Sequence, residues 1–309
     1  MPIYCRPMTS ESVRLCRTCG KPRGENIADG TRCAVCGRRQ AIVLCLAVAV
    51  STGFWTFNST QNASAAFTAV AVALVATPPA LVTAVLLHEL AHAAAALVLG
   101  QRLTRVLVGE GTSLVRIGGD PQLVFGSVVL GNGLTTVLDL RAAGYRSRMC
   151  AMLLFAPLTS AILAMASYVT TAAWPAPART AALLFAGANA LMAVLTSIPV
   201  TTFGGRVWSD LASAIYIARA DAHQIEEHML LSAQDRMAIL ADAGLHEAAI
   251  ETGRAAVAAA PSAGLAHSLL AYALHHAGRN VEAAAVARDA IAAGTDEQSR
   301  EYLARFLEQ

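Results

Sequence analysis

Charge is scarce in these 309 residues: 14% are Asp, Glu, Lys or Arg, against about 25% in soluble chains. Lysine is almost missing. Lys21 is its single occurrence, so arginine carries nearly all the positive charge. A net charge of +2 is too small for a strongly basic surface and argues against a nucleic-acid partner. The N-terminal stretch MPIYCRPMTSESVR lacks an apolar core, which argues against a secretory leader. Cysteine number is seven, so a fully paired disulfide framework is excluded. Four of the seven fall in a metal-type spacing, which points to a reducing compartment.

What is present is apolar sequence, 55% of the chain, gathered into long runs. The run at 81–99, LVTAVLLHELAHAAAALVL, carries His88, Glu89 and His92. A helix of about 20 residues crosses the roughly 30 Å core of a bilayer, and ionisable groups inside such a run mark a functional site. His88 and His92 are four residues apart, so both imidazoles project from one helix face, a turn apart, where one metal ion can take both. Glu89 lies about 100° around the helix from His88. It is placed beside the metal, where it can take a proton from activated water. In a soluble helix, HExxH met by chance would be two solvated histidines. Inside an apolar run that reading leaves three buried polar groups unexplained.

Cys16 and Cys19 form one CxxC, Cys33 and Cys36 another, with 13 residues between them. Gly20 and Gly37 follow the two pairs and would let the backbone turn around a metal. Four thiolates at this spacing suit a closed tetrahedral zinc site. The intervening KPRGENIADGT is polar and turn-rich, so the metal supplies most of the folding free energy of residues 1–39. The module resembles a structural zinc ribbon; a redox pair of CxxC motifs is the alternative. Cys5, Cys45 and Cys150 read as ordinary small residues.

Apolar segments at 41–57, 63–99, 149–173 and 180–199 predict four membrane crossings. Pro78-Pro79 is expected to break the second, leaving 63–77 as a re-entrant or kinked piece. Loops 58–62 and 174–178 have no Lys or Arg. Segments around 38–39, 102–105 and 141–148 are arginine-rich. Both termini are therefore expected on the cytoplasmic side of the cell membrane. Residues 101–148 contain β-like runs separated by glycines, predicting a small cytoplasmic sheet of three or four strands. Its edge could hold an extended peptide by strand addition, or the sheet could be a plain structural insertion.

From about 221 to 309 the chain reads as soluble helix. Residues 243–261 align ungapped with 277–295, a period of 34. This resembles a tetratricopeptide repeat, which implies a protein partner; a helical cap that only stabilises the rest is the alternative. The predicted fold class is thus mainly α: a polytopic membrane domain over 40–215 with a β insertion, a zinc ribbon before it and helical repeats after it.

Two histidines leave one protein ligand to find. Glu110, Asp120 and Asp139 sit in turn-like contexts. Asp210 follows the last span after Gly204-Gly205, and an acid returned by a glycine turn is the simplest geometry. Asn189 and Thr196, seven apart on that span, share a face and are candidate donors to a substrate backbone or oxyanion.

Across about 80–215 the chain resembles the site-2 protease family of intramembrane zinc proteases. His88-Glu89-Leu90-Ala91-His92 matches the family's first motif in full. FAPLTSAI at 155–162 resembles its Gly-Pro-x-x-Asn region, with Ala156 for glycine and Ser160 for asparagine. SIPVTTFGGRVWSDL at 197–211 resembles the second motif. There Pro199 is present, Thr196 replaces asparagine, Gly204 stands at the commonest ligand position, and Ser209-Asp210-Leu211 fits the longer form except for its glycine. The resemblance implies zinc on His88, His92 and Asp210, Glu89 as general base, and a membrane-spanning protein segment as substrate. A different class, an inactive membrane adaptor using ribbon and repeats, is the second expectation. A zinc transporter is disfavoured because one HExxH offers no relay of ligands across the bilayer.

Overall fold

The computed structural model describes residues 27–28, 34–199, 201–202 and 207–307. Cys16, Cys19 and Cys33 lie outside them. Cys36 and Gly37 are helical in backbone, within α1 (Ala34–Thr60), so the turn expected at Gly37 is not formed. The helix that becomes the first apolar span simply starts earlier than the span does.

After a two-residue break the chain enters α2 (Ala63–Val98), with the Asn62 side chain accepting from the Ser64 and Ala65 amides. The expected break at Pro78-Pro79 is absent: α2 runs through both prolines as one helix of 36 residues. At 1.5 Å per residue it is about 54 Å long. The prolines remove two N–H donors in one turn and leave the Leu74 and Val75 carbonyls without their usual helical partners, but helix on either side is the arrangement that satisfies the remaining backbone groups in an apolar setting. Among the described residues, four helical segments are long and apolar enough to cross a membrane: Ile42–Thr60, Ala63–Val98, Tyr145–Ala173 and Ala178–Ser197.

Between the second and third lies the small sheet. Two long strands, β2 (Arg102–Ile117) and β3 (Gln122–Leu138), bend so that each contributes twice. Residues 102–108 pair with 133–138 in antiparallel register, Arg102 opposite Leu138 and Val108 opposite Gly133. The same stretch also pairs with 122–125, Arg105 opposite Gln122 and Val108 opposite Phe125, in the same chain direction. Residues 113–117 close the other side against 123–126. The result is a mixed sheet of four strand segments, and β1 (Ile27–Ala28) adds to its edge at Gly111 and Thr112. The sheet does not merely cover the helix ends. Val106 and Val108 pack with Leu81, Ala84 and Val85 of α2, and with Ala188 and Met192 of α4 (Ala176–Ser197).

Helix α3 (Tyr145–Thr170) starts four residues before the predicted span, taking Arg146 and Arg148 into its first turn. After α4, short strands β4 (Thr201–Thr202) and β5 (Val207–Trp208) pair antiparallel. They return the chain to α5 (Asp210–Arg219), whose N-cap Ser209 accepts from the Ala212 amide. Ile217 and Ala220 at the far end of α5 bury against Tyr145, Met149 and Met152 of α3 and Ala95 and Ala96 of α2.

Five further helices follow: α6 (Ala222–Asp242), α7 (His246–Ala259), α8 (Gly264–His276), α9 (Asn280–Ala292) and α10 (Glu297–Ala304). Helices α7 and α9 start 34 residues apart, matching the period of the sequence, and each is preceded by a glycine at positive φ, Gly244 at 71° and Gly278 at 76°. That left-handed conformation ends the preceding helix, and glycine adopts it without Cβ strain. One core runs through these helices, from Leu230 of α6 to Leu303 and Phe306, and Leu138 and Leu140 from the end of β3 pack against it.

Candidate metal centre

His88 and His92 sit on the buried face of α2, 2% and 5% exposed. Their rings lie edge to face with centroids 5.0 Å apart, as the four-residue spacing on one helix requires. Asp210, 122 positions after His88, is brought onto both. Its Oδ2 lies 3.0 Å from His88 Nε2 and its Oδ1 3.4 Å from His92 Nε2. One ligand atom from each of the three falls within 4.8 Å of the others, so the group can hold a metal ion. The β4–β5 pairing and the Ser209 cap fix this placement, since Asp210 is the first residue of α5.

The remaining ring nitrogens are also engaged. His92 Nδ1 donates to the Met152 carbonyl at 2.9 Å, because a carbonyl can only accept. His88 Nδ1 lies 3.0 Å from Ser160 Oγ, and Ser160 is fully buried. Outer partners of this kind set ring orientation and tautomer at metal sites. With Nδ1 protonated, neutral His92 presents a bare Nε2 to a carboxylate that can only accept. Two acceptors that close require a cation between them, either a proton or a metal ion. Two imidazole nitrogens and a carboxylate oxygen, oriented from behind, fit a tetrahedral divalent metal with one open position. When a proton supplies that cation, burial works against ionisation of Asp210, but the hydrogen bonds from His88 and His92 outweigh it and hold the carboxyl below the ordinary aspartate range.

Glu89 is buried at 4% exposure beside this group, on the side facing the sheet. Thr135 of β3 places its hydroxyl 2.8 Å from Glu89 Oε2 and 3.0 Å from the Glu89 carbonyl. Gly133, two residues earlier, lies so close that a Cβ there would fall 2.3 Å from Oε1 and 2.5 Å from Cδ. A strand glycine often marks such a close approach, which is the one signal in LGNGLTT from which this contact could have been suspected.

Two of the other candidate acids are used elsewhere. Asp139, 3% exposed, pairs with Arg141 at 2.9 Å and Arg148 at 2.6 Å. Asp120 pairs with Arg102 at 3.0 Å and with the fully buried Arg236 of α6. Glu110 is in β2, with its backbone paired to Val128. Asn189 and Thr196 are not hydrogen-bonded to the His88 group. The Asn189 amide donates to the Phe185 carbonyl and the Thr196 hydroxyl to the Met192 carbonyl, both within α4. Asn189 Oδ1 is buried without a partner among the described residues. Thus the three expected ligands and the expected base converge, while the two expected substrate donors bond to their own helix. Comparison with known proteins adds nothing to this geometry: no family model, curated protein or solved structure matches the chain.

Proposed function

We propose that this chain is an intramembrane zinc metalloendopeptidase resembling the site-2 proteases, acting on a membrane-spanning segment of another protein. The observation that carries the reading is Asp210 meeting the Nε2 atoms of both His88 and His92, with Glu89 alongside. His88, His92 and Asp210 hold the metal; Met152 and Ser160 hold the two rings. A zinc ion held there supplies Lewis-acid activation of water and of a scissile carbonyl. Glu89 accepts the proton of the attacking water and returns it to the departing amine. His88, Glu89 and His92 are buried and Asp210 is half-buried, which limits the access of bulk solvent to the reacting atoms. A substrate helix must first become locally extended, because its peptide carbonyls are engaged within the helix.

Cys16, Cys19, Cys33 and Cys36 are proposed to hold a second, structural zinc. The five C-terminal helices are proposed to be tetratricopeptide-like and to take a protein partner. A groove of about 640 Å³ between α6, α8 and α10, lined by residues including Leu230, Leu269, Tyr272 and Tyr302, supports that role. The arginine-rich segments 38–39, 102–105 and 141–148 support a cell-membrane protein with both termini cytoplasmic.

The test is co-expression with single-span candidate substrates, comparing the native chain with Glu89→Gln. Cleavage abolished by the substitution is expected; cleavage that persists would overturn the hydrolytic reading. Metal analysis separates it from an inactive adaptor. His88→Ala should remove one equivalent of zinc and Cys16→Ser another. Loss of all zinc with Cys16→Ser alone would leave the adaptor.

A further inference from the structure

Strand β3 touches the helix that carries the histidines at the residue next to the first of them. Glu89 is buried in that contact, and a carboxylate on three rotatable bonds does not stay in one place without partners. Two features of β3 restrict it. The Thr135 hydroxyl lies at hydrogen-bond distance from Oε2, and Gly133 leaves space for the rest of the carboxylate where any side chain would occupy it. The two residues are on the same face of one strand, as the two-residue period requires.

We infer that Thr135 is a positioning residue for Glu89, and that Gly133 is the clearance it needs. The inference rests on the proposed hydrolytic reading for its consequence, though not for its geometry. The Thr135 hydroxyl has one hydrogen and two acceptors in range, Oε2 and the Glu89 carbonyl. The carbonyl belongs to α2 and already accepts within the helix, so the hydroxyl donates to Oε2 whenever the carboxylate is ionised. Oε2 is then held by the strand, and Oε1, lying over Gly133, is the oxygen that Thr135 leaves unbound. Holding one oxygen fixes the direction of the other, which is what proton transfer over a single hydrogen-bond length demands. The anchoring strand is itself secured. Its pairing with 102–108 fixes its register, and Leu138 at its end packs on the core of the C-terminal helices. A one-residue slip of β3 would take both Thr135 and Gly133 off this face.

Three variants of the full chain test this: Thr135→Val, which keeps the shape and removes the hydroxyl; Thr135→Ser, which restores it; and Gly133→Ala. The first readout needs neither metal nor turnover. The infrared band of the Glu89 carboxyl group is isolated as the difference between the native protein and Glu89→Gln, both stripped of metal. Thr135→Val should shift that band and Thr135→Ser should return it. A band that Thr135→Val leaves in place overturns the inference, whatever the enzymology. The second readout is cleavage. Thr135→Val should lower kcat by about 10- to 100-fold with KM and bound zinc unchanged, Thr135→Ser should recover most of it, and Gly133→Ala should fall at least as far as Thr135→Val. Equal kcat in Thr135→Val and the native protein, or failure of Thr135→Ser to rescue, overturns it. If the native protein cleaves nothing, the proteolytic reading fails, while the infrared comparison still decides the contact.

Discussion

Asp139 and Asp210 are both acids at the edge of the membrane domain, and both were candidates for the third ligand position. Asp139 is held by two guanidinium groups, Arg141 and Arg148, through several hydrogen bonds, and its side chain is 1% exposed. Asp210 is 17% exposed and has two imidazole nitrogens as its partners. The arginines are permanently charged, so Asp139 is neutralised in place and ties the start of α3 to the end of β3. The imidazoles carry charge only when protonated, and each is already turned by a bond to its other nitrogen. An acid whose partners bring no fixed positive charge is available for a cation; one bracketed by arginines is not.

The largest break in this contrast comes from neutralising each acid. Asp210→Asn should abolish cleavage and remove one equivalent of zinc, whereas Asp139→Asn should leave the zinc content of the membrane site intact. Metal analysis of the two purified variants decides it, and equal zinc loss would erase the distinction. Next in size is Glu89→Gln, expected to lower turnover by about 10²- to 10⁴-fold with zinc content unchanged, because Glu89 is not one of the three groups placed to hold a metal ion.

On the structural side, Arg236 is fully buried against Asp120, joining α6 to the turn between β2 and β3. Arg236→Ala should lower unfolding stability by on the order of 3 kcal/mol, read from chemical denaturation in detergent, with the metal still bound. Ser160→Ala tests the histidine side. Losing the hydroxyl behind His88 should weaken zinc by about 10-fold or more, measured by chelator competition, without a stability loss of comparable size.

The smallest effect is in pH. Burial raises the Asp139 carboxyl, but the arginine hydrogen bonds more than reverse this, so its folded pKa lies below the ordinary aspartate value. A depressed folded pKa gives stability that is complete above about pH 4 and is lost as pH falls through the lower folded value. The stability gap between the native protein and Asp139→Asn should therefore be widest near neutrality and narrow below pH 4. A gap that widens on acidification would contradict the arginine bracket.

Much of the site was legible along the chain because its core is local. His88, Glu89 and His92 lie within five residues of one helix, and helix geometry alone says which side chains share a face. Asp210 was reachable because a glycine turn after an apolar span has few places to return to. Thr135 and Met152 were not legible, since one comes from a strand 46 residues away and the other acts through its carbonyl, which no residue type advertises. The proline pair misled for a related reason: it predicts a break from two missing donors, while the cost of opening the neighbouring turns in an apolar setting is larger. The sheet was foreseen in size but not in order. The double use of residues 105–108 depends on how β2 and β3 bend, and period-2 alternation carries no information on that.

Composition and spacing thus determined, without any fold, that this is a membrane-type chain with a paired-histidine helix and an alpha-helical tail of period 34. Those properties follow from transfer free energy and from the fixed pitch of a helix, and both act within a short stretch of chain. Tertiary structure decided which acid meets the histidines, which carbonyl and hydroxyl stand behind them, and which strand faces Glu89. These are long-range choices, made by shape and by burial of polar groups that must each find a partner, and they are settled only when distant segments pack together.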